Sequence, residues 1–504
     1  MKKIFVLSLL ILAFAATAYS QPKLDFRASG FISVTTQMWQ FNTTTNIQNS
    51  VGFVQVIPTR LQPGGAEFNR TASYVEQRFR LKFDAIMGKE LSGTIFLEGD
   101  SRTWGDDPSG GAGLGSGRNQ IGFLTADRSG VEVKNVYIDA AVPYIPVPIT
   151  VRAGIQPFGV RSPMFWYWDA AGVTAAAKID PVTIIGMWAK ALEGRLATSD
   201  DVDAYGLHVN AKVDSFTIGG YGVYFNAQQY PLNSSLNGTA YGTTPPSDAK
   251  MWWIGAYADG KIGPAMINFD AIYDKGDVKS RSGLPKVKYN GYAGYLKVNF
   301  PWEAFNFGVV GVYGSGADLR KTSNLGLPGQ GVADPAFADA GAISSKVGSF
   351  AVPPSSETGM QESEVLFASY LSGGFNGWAY SNSGTSMTRG SVGGLWFAKL
   401  YGNYKVTPEF KVTLQGLYIG DTSKNGDTFG NSRDSLGLGL KNNSTIGWEI
   451  DLINEWQVYK NLTFNFGGGI LFPGDALKFW DPVFLKNEKP DNPWTFITKL
   501  IYTF

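Results

Sequence analysis

The stretch SYVEQRFRLKFDAIMGKELSGTIFLEGDSRTW (73–104) decides the fold. Val75, Phe79, Leu81 and Phe83 alternate with Glu76, Arg78, Arg80, Lys82 and Asp84, and Gly88-Lys89-Glu90 then supplies a tight turn. Past the turn, Ile95 and Leu97 alternate with Thr94, Glu98, Asp100 and Arg102. Successive side chains of a strand point to opposite faces, so this hairpin has one greasy face and one face of fixed charge. In a soluble sandwich the greasy face would meet a core and the charged face bulk water.

The same pattern recurs to the end of the chain. Strands are expected near 27–38, 73–86, 91–104, 130–141, 147–158, 170–179, 181–193, 202–213 and 215–228. Further strands are expected near 249–260, 264–275, 286–299, 303–315, 391–406, 409–421, 444–459, 461–472 and 493–504. Their lengths lie near the ~9–11 residues a tilted strand needs to cross a bilayer. The links between them sort into two kinds. After every even strand they are tight: Gly88-Lys89-Glu90, Pro143 to Pro146, Asp180-Pro181, Asp214-Ser215, Gly263-Pro264, Pro301-Trp302, Thr407-Pro408 and Lys460-Asn461. After odd strands they are mostly longer and polar: 39–72, 105–129, 159–169, 194–201, 229–248, 276–285, 316–390, 422–443 and 473–492.

Alternation of tight and long links belongs to an antiparallel up-and-down barrel with turns on one side and loops on the other. Backbone groups in lipid must be satisfied internally, so a sheet spans only if it closes. The expected fold is therefore all-β: a closed antiparallel up-and-down transmembrane β-barrel of about eighteen strands, with sixteen as the alternative count. Aromatics near the strand ends, Trp39, Trp104, Trp252, Trp302, Trp456, Trp494 and Tyr502, are candidates for the girdles such barrels carry at both interfaces.

Composition agrees. The chain has 62 Gly, 14% aromatic residues, 17% charged residues and no Cys. That charged fraction is below the ~25% of soluble domains. A net charge of +1 gives no reason to expect nucleic acid as a partner. The absence of cysteine removes disulfides, thiol catalysis, c-type haem attachment and a lipoprotein anchor. Residues 1–20, MKKIFVLSLLILAFAATAYS, have the charged start, apolar run and small-residue end of an export signal peptide. Cleavage after Ser20 would leave residues 21–504 as a single barrel domain whose longest loop is 316–390.

The chain ends PWTFITKLIYTF (493–504), an alternating strand with Phe504 last. Here the sequence resembles the Gram-negative outer-membrane porins. Phe504 on its alternating strand is similar to the C-terminal signal by which outer-membrane barrels are recognised for insertion. The run IGWEIDLINEWQVYKNLTFNFGGGILFPGDAL (446–477), with Glu449 and Asp451, resembles a hairpin of the alginate-export-like and related substrate-channel porins. So does VYIDAAVPYIPVPITVRAGIQPFG (136–159), although Ile155 stands where those families carry an Arg, between Gly154 and Gln156. The resemblance implies an outer-membrane channel and brings with it the homotrimer common among porins.

A barrel of this size is too wide for its wall side chains to fill, and keeps an aqueous channel. Parity places Glu76, Arg78, Arg80, Lys82, Asp84, Glu98, Asp100 and Arg102 on the pore lining. Arg152, Gln156, Asn210, Lys212, Asn268, Asp270, Lys297, Asn299, Lys399, Asn403, Glu449, Asp451, Thr463 and Asn465 join them. The expected function is passive diffusion of small hydrophilic solutes across the outer membrane, with no cofactor. Two other readings stay open: a channel specific for a polysaccharide or anion, and a sleeve around a multihaem cytochrome. Link 316–390, with the helix-compatible QESEVLFASYL (361–371), is a candidate either to constrict the lumen or to cap it.

Enzyme chemistry finds little footing. A barrel hydrolase needs Ser and His held together; the one histidine, His208, has lumen parity next to Asn210 and no identifiable serine. DTSKNGD (421–427) has calcium-loop spacing at its start, but Ser432 stands where a bidentate Glu is needed. GAGLGSG (111–117) lacks the following helix of a phosphate cradle.

Overall fold

The hairpin that opens the sequence reading folds as its alternation requires. Arg80 stands opposite Glu98, Lys82 opposite Phe96 and Asp84 opposite Thr94, and the preceding strand sets Arg27 against Asp84 and Thr35 against Glu76. The computed structural model describes residues 24–40, 47–48, 54–55, 72–105, 120–121, 130–161, 164–193, 201–232, 247–322, 326–329, 332, 345–354, 356, 360–367, 392–481 and 484–504. The expected signal segment 1–20, the Gly-rich run 111–117 and much of link 316–390 lie outside these residues.

One sheet contains twenty strands, of which Gln120–Ile121 and Lys346–Val347 are two-residue additions at the rim, each paired parallel. The other eighteen form the wall. They are β1 (Leu24–Gln40), β2 (Ala72–Met87), β3 (Leu91–Trp104), β4 (Glu132–Ala141), β5 (Ile149–Val160) and β6 (Trp166–Ile179). Then come β7 (Val182–Leu192), β8 (Val202–Val213), β9 (Phe216–Tyr230), β10 (Ser247–Ile262), β11 (Ala265–Ser280) and β12 (Val287–Trp302). The last are β13 (Phe305–Gly314), β14 (Leu395–Lys405), β15 (Phe410–Asp421), β16 (Thr445–Tyr459), β17 (Leu462–Pro473) and β18 (Trp494–Thr503). Each pairs with its neighbours in sequence, and β1 pairs with both β2 and β18, so the sheet is a closed up-and-down barrel. Tight and long links alternate round the ring as expected except at β5–β6, whose five residues are fewer than the seven of the β4–β5 turn.

The wall has two chemically distinct faces. Outward positions are apolar and exposed, with Ile184, Leu207, Ile218, Ile254, Leu296, Leu400, Leu414 and Leu452 across the middle. Two aromatic rows bound them. The row near the long links includes Tyr224 stacked on Trp252 at 4.2 Å and Tyr292 on Tyr313 at 5.8 Å, then Tyr418 against Trp448 at 4.6 Å. The row near the tight turns includes Phe305 on Tyr404 at 4.6 Å and Tyr502 against Phe504 at 5.7 Å. Of the expected girdle residues, Trp104, Trp252, Trp302, Trp456 and Tyr502 are exposed and Trp494 is half-buried, while the side chain of Trp39 lies outside the described residues.

Many aromatics of the wall lie flat across a glycine on the next strand. A Cβ built on Gly255 would fall 2.2 Å from the Tyr221 ring, and one on Gly308 would fall 2.2 Å from the Tyr401 ring. Glycine abundance and aromatic abundance are thus one feature of this wall.

Several strand ends differ from expectation by three to five residues: β11 runs on to Ser280 and β14 begins only at Leu395. β12 runs through Pro301 and Trp302, and the turn is Glu303-Ala304, with Glu303 at φ 51°. The expected polar loop 159–169 is instead a five-residue link, because β6 begins at Trp166 and its first residues turn into the barrel.

The seam of the barrel is Gly30 against Phe504. Gly30 N–H donates to the Phe504 carbonyl at 2.9 Å and Phe504 N–H to the Gly30 carbonyl at 3.0 Å. A Cβ on Gly30 would sit 3.1 Å from the Phe504 ring and 2.2 Å from the Arg80 carbonyl. Deleting Phe504, or changing Gly30→Val, is therefore expected to reduce the yield of folded barrel, read as heat-modifiable migration on gels. The fraction that does fold should keep normal conduction; normal yield for both variants would show that the seam tolerates loss of this pair.

Candidate functional site: the barrel interior

Directly opposed residues in a sheet share a face. Followed from partner to partner, the inner face is continuous: Thr35 pairs with Glu76 and Lys499, Lys499 with Asn465, and Asn465 with Glu455. Glu76, Arg78, Arg80, Lys82, Asp84, Glu98, Arg152, Gln156, Lys212, Asp270, Lys297, Lys399, Glu449 and Asp451 all lie on it by register. So do His208, Asn210, Asn268, Asn299, Asn403, Thr463 and Asn465. A register shift between Gln77 and Phe79 interrupts strict alternation beyond Gly99, and the side chains of Asp100 and Arg102 are outside the described residues.

The face is not uniformly polar, as parity led one to expect. Gln156, Asp270, Lys399, Glu449 and Asp451 are buried, and between them lies an apolar core inside the barrel. Phe158, Trp166, Trp168, Phe225, Met251, Trp253 and Phe397 belong to it, and all are inward-facing wall residues. Two infolded segments cover them.

The first infold is the β5–β6 link. Met164 and Phe165 are buried, and Phe165 packs on Tyr221 and Trp253, each at 5.7 Å. Arg161, at φ 51°, pins it. Its guanidinium donates to Asp259 at 2.6 Å and to Asp270, and lies 4.1 Å over the Tyr257 ring. Tyr221 also donates to Asp270 at 2.9 Å, and His208 Nε2 meets the Tyr257 hydroxyl at 2.8 Å. The single histidine therefore belongs to a polar cluster of the wall.

The second infold comes from the β13–β14 link; its described residues are 345–354, 356 and 360–367. Lys346–Val347 pairs beside the start of β12. The chain then enters the barrel. Ala351 donates its N–H to Asp274 at 3.1 Å and accepts from Trp253 Nε1 at 2.8 Å. Trp168 Nε1 donates to the Pro354 carbonyl at 2.9 Å, and the Tyr167 N–H to Ser356 Oγ at 3.1 Å. Residues 360–367 reach the far wall. There Glu362 forms an ion pair with Lys399 and accepts from Tyr295 at 3.3 Å. Val365 and Leu366 donate their N–H groups to the two oxygens of Glu449 at 2.6 and 2.9 Å. The Glu364 N–H donates to Asp451 at 3.4 Å, and Gln415 Nε2 to the same oxygen at 2.7 Å. β6 and β15 are half a ring apart, so the segment crosses the barrel. The described part of the expected helical piece, 361–367, is not a helix. Its N–H groups are spent on Glu449, Asp451 and Ser363 Oγ rather than on carbonyls four residues back.

The remaining arc, from β17 through β18 to β4, keeps a charged inner face. Glu98 is its centre, accepting from Arg78 Nε at 2.9 Å and Arg80 Nε at 2.6 Å, with Lys134 Nζ at 3.1 Å. Lys134 also reaches Asp169 at 2.7 Å. Lower on the wall, Lys82 pairs with Asp84 at 3.0 Å. Arg152 is bidentate on Asp139 at 2.7 and 3.0 Å and lies 4.0 Å over the Tyr137 ring. Lys499 projects from β18 between Thr35 and Asn465. Arg161 and Lys134 were missed by parity. One lies in a link, and the other sits at a register shift opposite Phe96 and Leu97.

The calcium-like start of the β15–β16 link is consumed by its own hydrogen bonds. Asp421 accepts from the N–H groups of Ser423 and Thr428, each at 2.6 Å, and Asp427 from Asn443 N–H at 2.6 Å and its Nδ2 at 2.7 Å. Among the described residues no group of three or more acidic or imidazole side chains is placed to hold a metal. Burial, only partly offset by the Asn443 donors, pushes the Asp427 carboxyl up to about 6.

No protein-family model matches the chain, and no curated protein does. Among solved structures it is similar to OccK8 (OprE) of Pseudomonas aeruginosa, with 11% identity over 95% of this chain and 98% of that one, TM-score 0.49. It is also similar to OccK2 (OpdF) of Pseudomonas aeruginosa, at 10% identity over 96% and 99%, TM-score 0.49. A BenF-like porin from Pseudomonas fluorescens Pf-5 matches at 9% identity over 95% and 99%, TM-score 0.46. At such values function has to be reasoned from the chain's own geometry.

Two outcomes test this interior. Arg161→Met leaves the buried Asp270 carboxylate without its guanidinium and should destabilise the infold by about 3 kcal/mol. Chymotrypsin should then cut at Phe165 earlier and at lower denaturant, and Asp270→Asn in the same chain should recover most of the loss. For Asp427, the folded carboxyl holds its proton more tightly than the unfolded one, so its contribution is full at acid pH. It is lost as pH rises from the ordinary carboxylate range through about 6. Protection factors across 422–444, that is exchange rates divided by the intrinsic rate at each pH, should be larger at acid than at neutral pH, and Asp427→Asn should remove the difference.

Proposed function

We propose that this protein is an outer-membrane channel of a Gram-negative bacterium that passes small hydrophilic solutes passively. One observation carries the reading: a closed wall with an apolar, aromatic-bounded outside and a charged inner arc. Such a wall is stable in a bilayer because every strand finds a partner, and its outer rows mark where hydrocarbon meets water. In this reading the inner arc of Glu76, Arg78, Arg80, Lys82, Asp84, Glu98, Arg152 and Lys499 lines the path. Residues 1–20 direct export, and Phe504 contributes to recognition during insertion. The path is narrowed by infold 345–367 against the opposite wall, so solutes pass beside charges of both signs that orient dipolar groups.

The interior also bears on the cytochrome-sleeve reading. A sleeve needs an empty bore, whereas here the chain's own segments 161–168 and 345–367 occupy the side from β5 to β16. The channel reading is favoured on that ground.

Planar-bilayer recording of the purified protein tests it. Open ohmic steps are expected, and Arg78→Glu with Arg80→Glu should shift the reversal potential in a salt gradient toward cation preference. Absence of conductance in correctly folded protein would overturn the channel reading, and an unchanged reversal potential would remove the arc from the path.

A further inference from the structure

Glu449 and Asp451 differ from the other acids of the wall. They are adjacent inward positions of β16, 0% and 1% exposed, so their two carboxyl groups are buried side by side. Both Glu449 oxygens are already taken by the N–H groups of Val365 and Leu366, and Asp451 Oδ2 by Gln415 and the Glu364 N–H. Asp451 Oδ1 is buried with no donor of the protein facing it. Gly469 leaves the room it occupies, since a Cβ there would fall 1.7 Å from that oxygen. Two carboxyl groups so placed, away from water, hold together only with a proton between them.

We propose that this shared proton is the latch that holds infold 345–367 across the barrel, so that raising the pH releases the segment and widens the channel. The inference rests on the channel reading above. The charges around the pair do not replace the proton. From the infold come Glu362, already engaged by Lys399, and Glu364, a third acid. β14 offers Lys399, β15 the neutral Gln415, β17 Gly469 and Leu471, and β18 Lys499. When the proton leaves, two buried negative charges share one strand face beside Glu364. The cheapest relief is separation of the infold from the wall, which lets water in. The wall itself keeps its ladder bonds to β15 and β17 and does not open.

Single-channel conductance measured over a pH series tests the latch. Wild type should show one conductance step, low at acid pH and high at alkaline pH. Asp451→Asn supplies a permanent N–H donor to Glu449 in place of the proton and should lose the step, staying at the low level throughout. A second variant separates loop motion from charge. The chain has no cysteine, so Phe367→Cys with Phe397→Cys, whose parent rings are 5.1 Å apart, can be bridged by a short bis-thiol reagent. Bridging should hold conductance low at every pH, and the unbridged double variant should keep the step. A pH-independent wild type, or a step that survives in Asp451→Asn or in the bridged protein, overturns the latch. No conductance at any pH in folded protein overturns instead the channel reading on which it rests.

Discussion

Everything in this molecule follows from the need to pair the backbone of a wide sheet with no edge left over. Phe31 to Gln40 pair with Thr503 to Trp494, and Gly30 and Phe504 exchange both hydrogen bonds at the end of that ladder, so β1 has neighbours on both sides. An open sheet of this length would expose a row of unpaired N–H and carbonyl groups, which is costly in hydrocarbon and sticky in water. Closure removes the row and fixes the parity of every strand, because the count must return Thr35 to the same face as Lys499. The outer apolar band and the inner charges are consequences of that parity.

Closure creates a second difficulty, which is the empty middle. Side chains of the wall cannot meet across so broad a ring, and a segment sent in to fill it brings its own polar backbone. Infold 345–367 has no ladder of its own beyond Lys346–Val347. Its N–H groups are instead received by carboxylates projecting from the wall: Asp274 for Ala351, Asp451 for Glu364, and Glu449 for Val365 and Leu366. A buried N–H without an acceptor costs about 1–3 kcal/mol, so these acids are as much part of the packing as Phe350 and Phe367 are. The same logic explains why QESEVLFASYL, helical in composition, is held as a run of bends where it is described.

The wall was legible from the sequence because strands there obey one rule, two residues per repeat, and the links alternate in length. All eighteen strands appear where alternation placed them, and register puts Arg78, Arg80, Lys297 and Glu449 on one face. What alternation could not show was which inward residues would be covered. Trp166, Trp168 and Trp253 have inward parity but no polarity, and nothing local says that Phe165 or Pro354 will come to meet them. The Trp168–Pro354 contact joins residues 186 positions apart. Lys134 escaped because a register shift beside Phe96 breaks the two-residue count, and Arg161 because a link residue has no parity to read.

Link length explains which segment could do the crossing. Strands set ~4.8 Å apart and tilted in an eighteen-strand ring give a bore on the order of 35 Å between backbones. An extended chain covers that in about ten residues. Side chains of the five residues between β5 and β6 reach β9, β10 and β11, whereas the β13–β14 link has ample chain to touch β10, β6 and β16 in turn. The side it covers loses water, and there the buried cations are matched, Arg161 by Asp259 and Asp270 and Lys399 by Glu362, while Asp274 accepts from the N–H groups of Gly291 and Ala351. Glu449 and Asp451 have no cation of that kind, only backbone donors and Gln415. Buried acids without a counter-charge stay in place only while one of them is neutral, which makes the far anchor of the crossing segment the contact most sensitive to the protons around it.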